Sequence, residues 1–254
     1  MLYYSSVILI KYKQLCIMPS GLVEIEQNEK KIKFKGYVTA PASGVHPGVL
    51  LLHQGFGLDA NIRAYAESLA ANNYTVFVPD LFWRKYPGCE LNSFMKEDVL
   101  KSKEILDEYD TDNGFNDITL CLKWLRETPQ CNGLVASIGF GIGSNLSYLA
   151  GLWLDVESSV CYNFEGNNFF QENDTFIRRP MLIHLSKNVY NEICESEKNN
   201  FIENIQNIKI EHYSECTSNF YRIADNNYKK LYAENAFSKT LVHIEKAFEK
   251  PHTT

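Results

Sequence analysis

The stretch Gly139-Phe140-Gly141-Ile142-Gly143 decides how this chain should fold. It follows a short, largely apolar run, Leu134–Ile138, of the kind that is buried in a parallel sheet. After it, apolar residues recur at helical spacing: Leu146, Leu149, Ala150, Trp153 and Leu154. Glycines at such a place let a strand and a helix approach closely and tolerate strained backbone angles. The pattern predicts a sharp strand-to-helix turn with Gly141 at its apex.

Two kinds of functional turn fit this stretch. A nucleophile elbow lifts the side chain of its middle residue above a sheet. A dinucleotide-binding G-x-G-x-x-G loop would need a third glycine where Ser144 stands and an acid at the end of the next strand, whereas Glu157 lies near that strand's start. The mid-chain position also favours the elbow. An elbow needs a Ser or Cys in the middle, and Gly141 has no side chain, so the turn is present without its nucleophile.

Composition and charge argue against several classes of function. The chain has 254 residues, 45% of them hydrophobic and 22% charged, as in a soluble globular domain. A formal net charge of −6 and an isoelectric point near 5.6 argue against a nucleic-acid partner. Seven cysteines are scattered singly, which predicts reduced thiols in a cytoplasmic protein. No ligand-spacing motif links His184, His212 and Cys216, so neither a metal nor a cofactor is predicted.

The N-terminal residues 1–17 are separate from the predicted domain. Ser6–Ile10 is apolar but short, and it runs directly into Lys11-Tyr12-Lys13. It is therefore predicted to be neither a signal peptide nor a membrane span. Two interpretations stay open for residues 1–17: a disordered extension, or a start assigned too far upstream. Residues 18–254 are predicted to form a single domain that does not contact a membrane.

Strand-like and helix-like segments alternate along this domain. The predicted strands are Leu22–Glu26, Ile32–Val38, Pro47–His53, Tyr74–Val78, Leu134–Ile138, Ser158–Tyr162, Met181–Leu185 and Ile208–Tyr213. The predicted helices are one capped by Asp59, Phe94–Tyr109, Phe115–Arg126, one after the elbow, and a closing helix that contains Ile244. This alternation predicts an α/β protein with a mostly parallel central sheet covered by helices on both faces. Ligands of such sheets bind beyond the carboxyl ends of the strands.

Two further blocks of sequence carry a family resemblance. Leu51-Leu52-His53-Gln54-Gly55-Phe56-Gly57-Leu58 is followed by Val78-Pro79-Asp80-Leu81-Phe82-Trp83-Arg84, with Pro87-Gly88 shortly after, and then by the elbow. In this order they resemble the dienelactone hydrolases, also called carboxymethylenebutenolidases. The resemblance extends from Gly21 to Phe248 and implies an α/β-hydrolase fold.

The resemblance also implies where catalytic residues should stand, and each of these positions is altered. In the family, an elbow Cys attacks a lactone or ester carbonyl, a His acts as base, an Asp orients the His, and a Glu helps to control the thiol. Here Gly141 holds the nucleophile position and Gln54 the Glu position. Asn188 or Val189 fills the acid position, and Ser218 the His position. Because these groups act as a unit, the expected catalytic machinery is not intact.

The substrate-binding positions that the resemblance implies, unlike the catalytic ones, hold the residue type expected for the family. Arg84 and Arg222 stand where the family has two arginines that hold the substrate carboxylate. A guanidinium group suits a carboxylate because it donates two parallel hydrogen bonds. Backbone N–H groups near Gln54 or Gly55 and at Ile142 are expected to form an oxyanion-hole-like pair of donors.

Three hypotheses about function follow from the sequence. The first is a pseudoenzyme that binds a small carboxylate or lactone ligand, or a protein partner. The second is an active hydrolase that uses Cys216 or Cys161 with His212. The third is a purely structural or interaction protein with a collapsed cleft. His53 and His184 are interpreted as structural histidines, since both stand within or at the end of apolar strands.

Overall fold

The computed structural model describes residues 20–27, 32–164, 179–195 and 207–249. The N-terminal residues 1–17 lie outside this part of the chain. So do residues 28–31, between the first two predicted strands. In the described ranges, no helix is long and apolar enough to span a bilayer.

One twisted sheet organises the described residues. Its strands follow the order β1-β2-β4-β3-β5-β6-β7-β8. Strands β3 to β8 run parallel, while β2 pairs antiparallel with both β1 and β4. The predicted α/β class with a mostly parallel sheet is confirmed. The strands are β1 (Ser20–Gln27), β2 (Ile32–Thr39), β3 (His46–Leu52), β4 (Thr75–Pro79), β5 (Cys131–Phe140), β6 (Ser158–Tyr162), β7 (Met181–Ser186) and β8 (Ile208–Tyr213).

Helices cover both faces of the sheet. Val49 and Leu51 of β3 pack in a cluster with Ile62 of α1 and Ile244 of α6. Their neighbour Leu50 points to the opposite face, where side chains from α2, α3 and α4 pack. This alternation along one strand is the period of two that a sheet buried on both faces requires. The helices are α1 (Ala60–Ala71), α2 (Lys96–Asp107), α3 (Thr111–Glu127), α4 (Ile142–Trp153), α5 (Lys187–Glu195) and α6 (Lys230–Phe248).

Three helices differ from the sequence prediction. Helix α3 begins at Thr111 rather than at Phe115. Helix α2 begins at Lys96 rather than at Phe94, and Phe94 is exposed. Helix α5 is not among the predicted helices, and it contains Asn188 and Val189, the residues at the implied acid position. In the structure, α5 begins at Lys187, directly after β7.

Candidate functional site

The elbow lies at the centre of the sheet. Strand β5 ends at Phe140, helix α4 begins at Ile142, and Gly141 stands between them with φ 53° and ψ −118°. Its backbone N–H donates to the carbonyl oxygen of Tyr162 on β6 at 3.2 Å. A positive φ with this ψ is a conformation that residues with a Cβ adopt only under strain. The sharp turn predicted at Gly141 is therefore present.

The outer glycines of the elbow are required by close packing. A Cβ atom at Gly139 would lie 2.0 Å from the carbonyl oxygen of Gly143. A Cβ atom at Gly143 would lie 2.3 Å from the carbonyl oxygen of Leu52, at the end of β3. Helix α4 thus begins in contact with both β5 and β3, and this contact holds Gly141 above the ends of the strands.

Ser144, on the first turn of α4, is fully buried and fixes the elbow to β6. Its Oγ accepts a hydrogen bond from the backbone N–H of Tyr162 at 2.8 Å. The same Oγ lies 2.7 Å from the carbonyl oxygen of Gly139, to which it donates. With its hydroxyl held in this way, Ser144 has a structural role and does not replace the missing nucleophile.

His53, just after β3, is also held on both ring nitrogens. Its Nε2 accepts from the backbone N–H of Leu81 at 3.0 Å, so the ring proton resides on Nδ1, which donates to the carbonyl oxygen of Gln54 at 2.8 Å. Burial lowers the pKa of His53, against the opposing charge of Asp80. This neutral, doubly bonded ring agrees with the structural interpretation of His53.

Gln54 and Tyr221 join the loop after β3 to the loop after β8. The Tyr221 hydroxyl donates to Gln54 Oε1 at 3.0 Å, while Gln54 Nε2 is buried without a hydrogen-bond partner in the described ranges. The Tyr221 ring packs against Phe140, with 4.8 Å between ring centroids, and against Tyr162, with 5.2 Å. Sequence reasoning did not foresee that an aromatic side chain would occupy the space beside the elbow.

Arg222 is buried in an ion pair with Asp59. Its Nη2 bonds to the carboxylate, and its Nε donates to Ser93 Oγ at 3.3 Å. The guanidinium carbon lies 4.4 Å from the ring centroid of Phe56, in the loop after β3. Arg222 therefore lies beside the loop that follows β3, with its charge already neutralised by Asp59.

Arg84 forms a different ion pair. Both its terminal nitrogens bond to the buried carboxylate of Asp117 on α3, one of them at 2.8 Å, and Trp83 Nε1 donates to the same carboxylate at 2.8 Å. The structure thus engages Arg84 and Arg222 with two separate acids rather than as a pair of free donors. Sequence reasoning missed both partnerships, because Asp117 is 33 positions from Arg84 and Asp59 is 163 positions from Arg222.

The remaining family positions hold no titratable group. Asn188 is exposed on the first turn of α5. Val189 packs in an apolar cluster that includes Ile183 and Leu185. Ser218 is half-buried in the loop after β8. Of the predicted backbone donors, Gly55 lies against α2, where an added Cβ would be 2.4 Å from Ser102 Oγ.

The two candidate thiols are buried. Cys161 on β6 has no exposed surface, its Sγ lies 3.5 Å from the carbonyl oxygen of Ser144, and burial raises its pKa far above the usual range. Cys216 is also buried, and burial raises its pKa. His212, the histidine considered as their base, is exposed and stacks on Tyr190 with 3.9 Å between centroids.

His184 belongs to a buried polar network on the α6 face of the sheet. Its Nδ1 lies 2.9 Å from the Tyr213 hydroxyl and its Nε2 lies 3.0 Å from Thr240 Oγ1. Thr240 Oγ1 is in turn 2.7 Å from the Tyr162 hydroxyl. Burial holds the pKa of His184 well below its ordinary value. The network joins β6, β7, β8 and α6, so the role of His184 is structural.

The parallel sheet and the elbow define an α/β-hydrolase. The sequence profile of the dienelactone hydrolase family matches residues 34–248, and the chain belongs to this family. It is 22% identical over 218 residues to a carboxymethylenebutenolidase from a Pseudomonas species, across 84% of this chain and 90% of that enzyme. It is 26% identical over 153 residues to carboxymethylenebutenolidase 1 from Cupriavidus pinatubonensis, across 60% of this chain and 65% of that enzyme.

Solved structures agree with this assignment. A putative dienelactone hydrolase from Klebsiella pneumoniae superposes with a TM-score of 0.71 at 15% identity, over 89% of this chain and 99% of that one. A dienelactone hydrolase-like promiscuous phosphotriesterase from metagenomic libraries also has a TM-score of 0.71 at 15% identity, over 91% and 99%. At these identities the likeness shows the fold alone.

Proposed function

We propose that this chain is a non-catalytic member of the dienelactone hydrolase family, a pseudoenzyme that keeps the hydrolase scaffold for binding. The observation that carries the proposal is Gly141, which occupies the apex of the elbow and has no side chain. Acyl transfer at such a site needs a nucleophile, a base and an orienting acid together. Asn188, Val189 and Ser218 at the corresponding positions supply neither a base nor an acid.

A hydrolase that uses another thiol is the alternative. The thiolate is the nucleophilic form of cysteine, and burial disfavours it at both Cys161 and Cys216. The proposed base, His212, is exposed and stacked on Tyr190. These features favour the non-catalytic interpretation over the alternative.

Turnover assays on the purified chain separate the two interpretations. With p-nitrophenyl acetate and with dienelactone as substrates, we expect no saturable hydrolysis, and the same residual rate from the wild type and from Gln54→Ala. A saturable rate that is lost in Cys161→Ala or Cys216→Ala would replace the proposal by the alternative.

A small carboxylate or lactone is the second candidate for what the scaffold binds. Arg222 supports it, because its guanidinium group lies over Phe56 at the strand-end side of the sheet. Arg84 keeps the other family position, with its side chain 35% exposed. Since the two arginines already bond to Asp59 and Asp117, a ligand carboxylate would have to use their remaining N–H groups or displace an acid.

Thermal-shift measurements with succinate, a lactone and its open-chain acid test this second candidate. A ligand at a hundred times its dissociation constant adds about 2.7 kcal/mol to the free energy of unfolding. If the arginines bind the carboxylate, the response should be lost in Arg84→Lys/Arg222→Lys, which keeps the charges but removes the planar fork. Arg63→Lys is the control. Equal responses from all three proteins would remove the arginines from the site and favour a protein partner.

A further inference from the structure

A cavity of about 240 Å³ lies apart from the elbow, between the loop that follows β4 and the helices α2 and α3. Leu81 and Phe82 of that loop form one side of its wall, and Ile105 and Tyr109, on α2 and just after it, form the other. Leu81, Phe82 and Ile105 are almost fully buried. None of residues 139–143 contributes to the lining. The cavity therefore lies outside the elbow; of the residues that the family resemblance assigns to ligand binding, its lining includes Arg84.

Packed rings build much of this wall. The Phe82 ring contacts the His53 ring edge-on, with 4.9 Å between centroids, and contacts the Tyr109 ring at 5.6 Å. Tyr109 in turn packs against α3, where a Cβ atom at Gly114 would lie 2.2 Å from its hydroxyl oxygen. The absence of a side chain at Gly114 thus leaves room for Tyr109 in its observed position. Rings and branched aliphatic side chains present a surface that suits a flat apolar ring.

The charged side chains that line the cavity are all bonded to other protein groups. Arg84 bonds to Asp117 through both terminal nitrogens. The Nζ of Lys85 lies 3.3 Å from a carboxylate oxygen of Glu108. Asp110 accepts a hydrogen bond at 2.9 Å from a backbone N–H in the first turn of α3. The charged groups of the described lining are therefore already ion-paired or hydrogen-bonded within the protein.

We propose that this cavity binds an uncharged small molecule that carries an aromatic or alicyclic ring. Ring burial removes apolar surface from water on both partners, which is the main source of affinity in such cavities. A charged ligand would lose its hydration, whereas the cations in the wall are already bonded to protein carboxylates. Because the cavity lies outside the elbow, the proposal holds whether or not the elbow is catalytic.

Acetophenone and benzoate form a matched pair of probes, since they have similar size and shape and differ in charge. We expect saturable binding of acetophenone to the full chain in isothermal titration and in thermal-shift measurements. Benzoate should bind roughly tenfold more weakly or worse, because the cations in the wall already bond to protein carboxylates and compensate the desolvation of its carboxylate only in part. No saturable response to acetophenone, or a preference for benzoate, would overturn the proposal.

Two tryptophan variants on the same helix locate the binding. Ile105→Trp places an indole ring in the cavity and should abolish acetophenone binding. Leu100→Trp is the matched control, since Leu100 is 56% exposed on α2, and it should bind acetophenone as the wild type does. Equal binding by both variants would contradict the proposed site.

A second measurement on the wild type keeps the test decisive if Ile105→Trp does not fold. Acetophenone should shift the backbone amide resonances of residues 81–86 and 105–114. Shifts confined to residues 54–56 and 139–143 would place the probe at the elbow instead and would overturn the proposal.

Discussion

The guanidinium group of Arg222 and the carboxylate of Asp59 form an ion pair in which the two side chains are only 3% and 8% exposed. The second carboxylate oxygen of Asp59 accepts a hydrogen bond from the backbone N–H of Ile62 at 3.0 Å. One carboxylate therefore caps α1 and also fixes the loop that follows β8. This double role makes Asp59 a link between two distant segments of the strand-end surface.

Because of this double role of Asp59, loss of Arg222 should lower the free energy of unfolding substantially. In Arg222→Ala, Asp59 would stay buried with a charge but without its cation, and we expect the free energy of unfolding to fall by about 3–5 kcal/mol. Arg63→Ala is the control, because Arg63 and Glu90 form an ion pair with 29% and 50% exposed side chains. Its loss should cost about 1 kcal/mol. Urea denaturation measures the free energy of unfolding of both variants. If Arg222→Ala lost as little of it as Arg63→Ala, the ion pair of Arg222 with Asp59 would be solvated in solution.

Restoring a thiol at the elbow should not restore catalysis. Gly141→Cys puts a side chain on a residue with φ 53° and ψ −118°, which should lower the free energy of unfolding by about 1–3 kcal/mol. Gln54 holds the position of the family's Glu and cannot act as a carboxylate, and His53 and His184 already use both ring nitrogens. We therefore expect no saturable hydrolysis of p-nitrophenyl acetate.

Gly21→Cys provides the matched background for that measurement. Gly21 lies on β1, and a Cβ atom there meets nothing within 4 Å, so the variant should keep wild-type stability. Its thiol reports the slow, non-enzymatic acylation that any accessible cysteine undergoes. Saturable hydrolysis by Gly141→Cys, faster than by Gly21→Cys, would reveal a base that the described residues do not identify.

Local features of the fold were predictable from the sequence. The elbow, the strands and the Asp59 cap all depend on patterns that span only a few residues: apolar periodicity, glycine spacing and a capping side chain. The cap is present as predicted, with the carboxylate of Asp59 accepting from Ile62. The fold class followed because alternating strands and helices permit few topologies.

The contacts made by the side chains of the candidate site were not predictable from local sequence patterns. Whether Arg84 meets a ligand or Asp117 depends on how α3 packs against the loop after β4, and no local pattern encodes that packing. The position of Tyr221 beside Phe140 likewise depends on the path of the loop after β8. The family resemblance implies a substrate-binding position for the arginines but carries no information about their partners.

Buried and half-buried histidines should make the fold sensitive to mild acid. Burial lowers the pKa of His53, His184 and His243, the last to about 4. In the unfolded chain each histidine has a pKa near 6.5. Below pH ~6.5 the unfolded state therefore binds more protons than the folded state does. The contribution of these neutral histidines to the free energy of unfolding is complete above that pH, and it is lost as the pH falls towards the folded-state pKa.

Urea denaturation between pH 7.5 and pH 5 tests this expectation. Near pH 5, His243→Gln should reduce the slope of the unfolding free energy against pH by about 1 kcal/mol per pH unit. His212→Gln is the control, since His212 is exposed and should change the slope less. Measurements above pH 5 avoid most carboxylate protonation. An unchanged slope in His243→Gln would mean that His243 is already protonated, or solvated, in the folded protein.

Thiol labelling gives an independent test of the alternative hydrolase. Reagents such as iodoacetamide attack the thiolate, and Cys161 is fully buried, with its Sγ against the carbonyl oxygen of Ser144. Native Cys161 and Cys216 should therefore stay unmodified until urea unfolds the chain, as measured by peptide mass mapping. Cys89 is the control: burial raises its pKa to about 11, but its side chain is partly accessible, so it should react before the other two. Rapid labelling of native Cys161 or Cys216, in parallel with loss of esterase turnover, would identify a working nucleophile and contradict the non-catalytic interpretation.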